Sequence, residues 1–435
     1  MERLALRGGP PVRQRSWPAW PEVGMSDRQL VLEALDSGVW GLGGTMIPRF
    51  EEVFARYQHT AYAVAAANGT VTLEMALRAV GVGPGSEVII PAYTFIATAS
   101  VVFQVGAVPV IVDIEPDTCT IDPAAVEAAI TPRTRAIIAV HVGGGPADMD
   151  RLMAIARKYH LPLIEDAAQA HGAEWRGRRL GSWGICGSFS FQSSKNLTCG
   201  EGGAIVTNDE ALADYCRAYR NVGRWVGRTP PRPLVGADYR LTELQAALLL
   251  AQMERLDVQT ERRNANAAYL SALLDDLNRS TGEPVALPPR RDERVTRHAY
   301  HLYLIRLRQD VWRVPLPRIV QALQAEGIPA RTGYPALYHD PLWAVATGSD
   351  SGRSLAAEAS RQPAVNRGQP SPVEAGQEPH WRVEGGRAPQ AERAAAEVIW
   401  LPQRLLLAEQ SDMHDVAEAI AKVWRHRLNV GCSSE

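Results

Sequence analysis

Short apolar runs alternate with helix-like stretches between about residues 60 and 210, and this alternation constrains the fold most strongly. The runs lie at 61–67, 87–92, 108–114, 135–142, 161–166, 188–192 and 203–209. Near-continuous apolar character in runs this short indicates strands that are buried on both faces. The stretches 71–80 and 149–160 carry apolar residues three and four positions apart, which predicts helices. The pattern therefore predicts an α/β fold with a mainly parallel seven-stranded sheet flanked by helices.

The rest of the chain predicts a helical region and then a smaller α+β domain. Thr242 and Gln245 predict a capping box at the start of one helix, and a second long helix is expected to follow through about residue 277. Later patterns predict a strand at 299–307 and helices at 316–327 and 413–428. We expect a large domain at 1–277, which includes an N-terminal segment, and a small C-terminal domain at 278–435.

Residues 347–390 fit neither pattern. They are rich in Gly, Ser, Pro, Gln and Glu and show little apolar periodicity. A loop of this length is either a lid over a functional site or disordered. Its composition favours a flexible insertion within the small domain.

Composition excludes several classes of function. The formal net charge is −2, so no basic excess points to nucleic acid. No apolar stretch is long enough to span a membrane, and the N-terminus lacks the apolar run of a secretory signal. The five cysteines are scattered, which predicts reduced thiols rather than disulfides or a zinc site. We expect a cytoplasmic protein that binds no metal.

Two charged residues stand where ligands are bound in such sheets. Asp166 ends the run 161–166, and the carboxyl ends of parallel strands form the ligand-binding edge. Lys195 follows the run 188–192 and precedes a glycine-rich turn at 200–203. Burial there would lower the pKa of the lysine and make its amine reactive. Taken alone, Asp166 would be interpreted as a turn or capping residue and Lys195 as a solvated surface charge.

A third feature joins a predicted strand to a predicted helix. The turn is Asn68-Gly69-Thr70. Backbone N–H groups at a helix N-terminus, with a threonine hydroxyl beside them, form a phosphate site. Such a turn is common, so by itself it is a weak indication.

Four motifs in this order carry a resemblance to a known family. They are NGT-x-x-L-x-x-AL at 68–77, PAYTFIATA at 91–99, EDAAQAHG at 165–172 and SFSFQSSKN-x-x-x-GEGG at 188–203. Together they resemble the DegT/DnrJ/StrS family of aminotransferases, which use pyridoxal 5′-phosphate (PLP) and share the fold-type-I architecture. The resemblance runs from about residue 3 to 346 and resumes at 391–427.

The resemblance implies specific roles for residues of this chain. Lys195 matches the lysine that holds PLP as a Schiff base, and this lysine would also act as general base and acid. The cofactor would pass through pyridoxamine phosphate as its intermediate form. Asp166 matches the carboxylate that keeps the pyridine nitrogen protonated. The other matches are Gln169 near the cofactor's 3-oxygen, Phe95 stacked on its ring, and Gly69, Thr70 and Ser190 at its phosphate. For Phe95 alone, core packing is an equal reading.

Three segments resemble one branch of the family, and this resemblance implies the substrate. Residues 4–21, 141–150 and 400–407 are similar to the same segments of enzymes that act on keto-cyclitols of the scyllo-inosose type. The resemblance implies a role in aminocyclitol antibiotic biosynthesis, with L-glutamate or L-glutamine as the amino donor. Gln192 stands where many members with nucleotide-linked sugars have histidine, which mildly supports this interpretation. Alternatives are a nucleotide-linked keto-sugar aminotransferase and an enzyme like amino-hydroxybenzoate synthase.

Other functional classes are weaker alternatives. A regulatory protein that kept the fold without turnover would not need the set of Lys195, Asp166 and Ser190. A desulfurase would need a catalytic cysteine loop, and none is evident. An aldolase of the same fold stays open.

The resemblance also implies a homodimer with shared active sites. The segment 236–244 matches one that reaches into the neighbouring subunit, where an asparagine contacts the phosphate. This chain has Asp238 at that position, and a carboxylate beside a phosphate is repulsive. We expect Arg240 to supply the positive charge. The alternative is that Asp238 and Arg240 pair with each other at the surface.

Overall fold

A computed structural model describes residues 3–225, 233–341, 343 and 381–430. The strands are β1 (Tyr62–Ala66), β2 (Glu87–Pro91), β3 (Val108–Val112), β4 (Thr134–Val140), β5 (Leu163–Asp166), β6 (Glu174–Trp175), β7 (Arg178–Arg179), β8 (Cys186–Ser190), β9 (Gly203–Thr207), β10 (Val295–Arg297), β11 (Leu302–Arg306), β12 (Arg331–Thr332), β13 (Arg382–Val383) and β14 (Val398–Pro402). The α-helices are α1 (Met25–Asp36), α2 (Met46–Tyr57), α3 (Gly69–Ala79), α4 (Ala97–Gln104), α5 (Pro123–Ala129), α6 (Met149–Tyr159), α7 (Glu210–Tyr219), α8 (Glu243–Thr281), α9 (Gln309–Trp312), α10 (Leu316–Ala325), α11 (Pro389–Glu397), α12 (Met413–Arg425) and α13 (Arg427–Val430).

The large sheet has the strand order β1-β9-β8-β5-β4-β2-β3-β13. Strand β9 is antiparallel to both of its neighbours, and all other adjacent pairs are parallel. The predicted α/β class is confirmed, and all seven strands predicted between residues 61 and 209 belong to this sheet. Strands β2, β5, β8 and β9 are buried along their whole length, because helices cover both faces of the sheet.

An eighth strand corrects the prediction for 347–390. Strand β13 pairs in parallel with β3, and the Arg382 guanidinium donates to the carbonyl of Ala129 at 2.8 Å. Trp381 and Val383 pack against the apolar core. The prediction of a flexible insertion is therefore wrong for residues 381–390. The sequence did not show this strand, because two residues are too few to produce a periodic pattern. Residues 347–380 lie outside the described ranges.

The region after 242 forms one helix rather than two. Helix α8 has 39 residues and no internal glycine or proline, so nothing in its sequence breaks it. Thr242 and Gln245 form the predicted capping box. The proposed domain boundary after residue 277 falls inside this helix and stays a prediction.

The C-terminal part contributes a second, smaller sheet. Its strand order is β11-β14-β12, with β14 antiparallel to both neighbours. Helices α10 and α12 pack on it in a separate apolar cluster together with one face of α8. No helix in the described ranges is long and apolar enough to cross a membrane.

Four phenylalanine rings connect helix α2 to the strand that precedes Lys195. Phe54 is completely buried and packs edge-on against Phe189 and Phe191, with ring centroids 5.1 and 5.5 Å apart. Phe50 stacks on Phe54 at 5.4 Å. These contacts fix β8 against the helical layer, and the chain leaves β8 directly into the turn that carries Lys195.

We predict that Phe54→Ala lowers the free energy of unfolding by about 3–5 kcal/mol, because it leaves a cavity inside this cluster. Denaturant unfolding followed by fluorescence measures the change. Phe95→Ala is the matched control, because the Phe95 side chain is 56% exposed and its loss should change stability by less than about 0.5 kcal/mol. Equal stability of the two variants would contradict this account of the core.

Candidate active site

A cavity of about 1340 Å³ opens at the carboxyl edge of the large sheet, against the small sheet. Its walls include every predicted cofactor-contacting residue except Arg240: Gly69, Thr70, Phe95, Asp166, Gln169, Ser190 and Lys195. These residues belong to helix α3, to the turn before helix α4, and to the segments at the ends of β5 and β8. These elements are far apart in the sequence. The structure therefore brings the predicted site residues together, and their individual roles stay predictions.

Lys195 is chemically distinct among the three lysines of the chain. Lys158 pairs with Glu127 at the surface, and the buried Lys422 pairs with Glu326 at 2.8 Å. Lys195 instead lines the cavity without an ion pair to any described residue. Burial lowers the pKa of its ammonium to about 8, against the opposing influence of Asp166. A lysine with this pKa has far more free amine near neutral pH than an exposed lysine has.

Asp166 faces the same cavity from the end of β5. Its side chain is buried, and its carboxylate accepts hydrogen bonds from the Thr98 hydroxyl at 3.0 Å and from the Ala168 N–H at 3.3 Å. Burial raises the pKa of this carboxyl, while Thr98, Ala168 and Lys195 oppose the rise. These donors hold the carboxylate in one orientation, with its charge available to a cationic ring nitrogen. Thr98 lies in the motif 91–99, but the sequence did not identify its role.

The N-terminus of α3 forms a cradle for an anion. The Asn68 side chain caps the helix by accepting from the Val71 N–H at 3.0 Å. A Cβ at Gly69 would lie 2.7 Å from the Cβ of Ser190, so only glycine allows this close approach of helix and strand. Gly69 and Thr70 line the cavity with Ser190, where helix N–H groups favour a phosphate.

Gln169 and Phe95 bound the space between the cradle and Lys195. The Gln169 carboxamide accepts from the Gly143 N–H at 2.7 Å and donates to the Tyr334 hydroxyl at 3.0 Å, so its position is fixed. The Phe95 ring is exposed and lies 6.1 Å from the Tyr334 ring. An exposed ring in the cavity wall fits stacking on a ligand and argues against the core-packing reading. Tyr334 was not identified from the sequence, because no motif marks it.

Arg240 does not line this cavity. Its guanidinium donates to Asp238 at 2.5 Å and to the Asn221 side chain at 3.0 Å. In the single chain, therefore, the alternative reading holds, in which Asp238 and Arg240 pair with each other. Whether Arg240 reaches a phosphate in a second subunit stays a prediction.

The residues present fit PLP. A lysine with a lowered pKa, an oriented carboxylate, an exposed aromatic ring and an anion cradle are arranged around one cavity. Asp166 and the anion cradle belong to β5 and α3, and Lys195 and Phe95 lie in the turns that follow β8 and precede α4. Among the described residues no cluster of side chains could hold a metal ion.

We predict that Asp166→Asn lets the apoprotein capture PLP at lower pH. The free amine is the reacting form, so capture by the wild type should rise with pH around the pKa of Lys195, about 8. Removing the negative charge of Asp166 removes an influence that raises that pKa, so the midpoint should move down. Stopped-flow absorbance measures capture rates across pH. Glu201→Gln should cause a smaller shift in the same direction, and an upward shift in Asp166→Asn would contradict the assignment.

Known proteins with similar sequences match nearly the whole chain. An L-glutamine:2-deoxy-scyllo-inosose aminotransferase of Streptoalloteichus tenebrarius is 40% identical over 97% of this chain and 98% of its own length. The enzyme of the same description from Micromonospora echinospora is 39% identical over 98% of this chain and 99% of its own.

Solved structures agree with the sequence comparison. A 3-amino-5-hydroxybenzoic acid synthase is 33% identical with a TM-score of 0.80, over 95% of this chain and all of that one. DesV from S. venezuelae, in complex with a ketimine intermediate, is 34% identical with a TM-score of 0.73, over 94% and 95% of the two chains. The model of the DegT/DnrJ/EryC1/StrS aminotransferase family matches residues 21–366. The chain is therefore a PLP-dependent aminotransferase of fold type I, and it belongs to the DegT/DnrJ/EryC1/StrS aminotransferase family.

Proposed function

We propose that this enzyme transfers the amino group of L-glutamine or L-glutamate to a keto-cyclitol of the scyllo-inosose type, in aminocyclitol antibiotic biosynthesis. The observation that supports this most strongly is identity of 37–40% with scyllo-inosose aminotransferases along essentially their full lengths. The cavity walls agree with a small polyol substrate, because they include both hydrogen-bonding side chains and aromatic rings.

The residues of the cavity divide the work of the reaction. PLP, when bound, supplies an electron sink for the carbon that exchanges the amino group. The Nζ of Lys195 takes a proton from the α-carbon of the donor and returns a proton in the second half of the reaction. Asp166 would keep the pyridine nitrogen protonated, and Phe95 would pack on the ring.

The remaining contacts fix the position of the cofactor. Gly69, Thr70 and Ser190 would hold the phosphate, and Gln169 would contact the 3-oxygen. Because these groups belong to α3, the β5 end and β8, they keep the reacting carbon within reach of Lys195. An amino-hydroxybenzoate-like substrate is the second candidate, on the strength of the structural likeness to the 33%-identical synthase.

We predict that nitrogen-15 from the α-amino group of L-glutamine appears in the amine of an aminocyclitol when 2-deoxy-scyllo-inosose is the acceptor. Mass spectrometry of the products measures the transfer. A nucleotide-linked keto-sugar and an amino-hydroxybenzoate precursor ketone are the comparison acceptors, and each should be labelled at least about tenfold more slowly, a difference of about 1.4 kcal/mol in the barrier. Preferred labelling of either comparison acceptor would refute the substrate assignment.

We also propose a homodimer in which each active site uses both chains. Apolar residues are exposed beside the segment 236–244, namely Leu32, Leu35, Val39, Trp40 and Leu42. The Glu243 N–H donates to the Trp40 carbonyl at 3.0 Å, so this patch adjoins the start of α8. Exposed apolar patches of this kind mark interfaces between subunits. In such a dimer Arg240 would face the phosphate of the partner's site.

We predict that mixed dimers of Lys195→Ala and Arg240→Ala chains recover part of the activity at limiting PLP. One site of each mixed dimer would carry both defects, and the other would have Lys195 from one chain and Arg240 from its partner. The activity of subunits exchanged under mild denaturant measures recovery. Lys195→Ala mixed with Asp166→Ala is the control, since both residues belong to one chain's site and no intact site can form. No recovery in the first mixture, with exchange demonstrated, would disprove the sharing of sites.

A further inference from the structure

A buried arginine without a carboxylate partner lies behind one wall of the cavity. The side chain of Arg263, on helix α8, is completely buried. Its Nε and Nη2 both donate to the side-chain oxygen of Gln403, at 3.0 and 2.7 Å. Its Nη1 has no hydrogen-bond partner among the described residues. Burial lowers the pKa of this guanidinium to about 9, so the group is still charged at neutral pH.

This contact fixes which end of the Gln403 carboxamide faces the cavity. A guanidinium has only donors, so the acceptor Oε1 must point at Arg263. The NH₂ group of Gln403 then points away from Arg263, and Gln403 is part of the cavity wall beside Lys195 and His301. No described residue accepts a hydrogen bond from this NH₂ group. The wall therefore presents a donor that is polarised by a buried cation.

Further positive charge lies on the same wall. Arg404 follows Gln403 and lines the cavity, where its Nη1 donates to the carbonyl of Pro18 at 3.1 Å. Arg331 lies at the cavity edge on β12, which pairs with β14. Neither arginine forms an ion pair with a carboxylate of the described residues. The acids of the cavity, which are Glu74, Asp166 and Glu201, belong to the elements of the large sheet and not to this wall.

A buried cation that lacks an anion is costly, and the cost falls when an anion binds nearby. The phosphate of the cofactor is assigned to the N-terminus of α3, on other elements. A neutral cyclitol hydroxyl would not compensate the charge of Arg263. The carboxylate of the amino donor is the remaining anion that enters this cavity.

We propose that Gln403 and Arg404 bind the α-carboxylate of the amino donor, and that Arg263 positions Gln403 for this contact. The proposal rests on the proposed function, because it takes an amino acid to be the donor. The carboxylate accepts from the NH₂ group of Gln403 and from the guanidinium of Arg404. Charge-assisted bonds of this kind select a carboxylate over a neutral isostere.

The test compares two unreactive probes that differ in one group. Glutaramate is L-glutamine without its amino group, and glutaramide carries an amide in place of the carboxylate. Isothermal titration calorimetry measures their binding to the PLP-loaded wild type, Gln403→Leu and Arg404→Met. We expect the wild type to prefer glutaramate by about tenfold or more, and each variant to lose most of that preference while glutaramide binding stays the same. Arg318→Met, which removes an exposed arginine of α10, should keep the wild-type preference.

Arg263 is tested through the same ratio. Arg263→Lys keeps the charge and should retain part of the preference, whereas Arg263→Met should lose it. An unchanged ratio in Gln403→Leu and Arg404→Met would overturn the assignment of the subsite. That outcome is separate from failure of the proposed function, which would appear as no amino transfer by the wild type to the keto-cyclitol.

Discussion

The removal of water from Lys195 and Asp166 is the constraint on which the site depends. Burial disfavours the charged form of both groups: it lowers the pKa of the lysine to about 8 and raises that of the aspartic acid. Their mutual attraction and the hydrogen bond from Thr98 oppose this effect. The balance leaves an amine that is reactive near neutral pH and a carboxylate held in place for a ring nitrogen. Most other features of the fold serve to keep these two groups together and shielded from water.

The elements that hold Lys195 and Asp166 together are each fixed by their own packing contacts. Strands β5 and β8 are adjacent and fully buried, so their carboxyl ends place Asp166 and the approach to Lys195 side by side. The aromatic cluster around Phe54 fixes β8 from one side, and the close contact of Gly69 with Ser190 fixes α3 against it. The small sheet forms the opposite wall together with Gln403, which directly follows β14. The cavity is thus bounded by two structural units, of which one supplies the groups for the cofactor and the other supplies cationic groups.

The sequence predicted the part of this arrangement that depends on local patterns. Apolar runs identified the strands, and the residues that follow them identified Asp166 and Lys195 at one edge. Contacts between distant segments left no such signal. Strand β13 is two residues long, and the pairing of Arg263 with Gln403 joins positions 140 residues apart. Arg240 shows a different limit: its pairing with Asp238, two residues away, was one of two interpretations of the sequence, and charge alone did not decide between them.

Borohydride reduction followed by peptide mapping identifies the lysine that bonds to PLP. The chain offers three lysines, and two of them are engaged in ion pairs with Glu127 and Glu326. We expect the reduced cofactor to be attached to Lys195 alone and the label to disappear in Lys195→Ala, which stays folded. Attachment to Lys158 or Lys422 in the wild type would contradict the account.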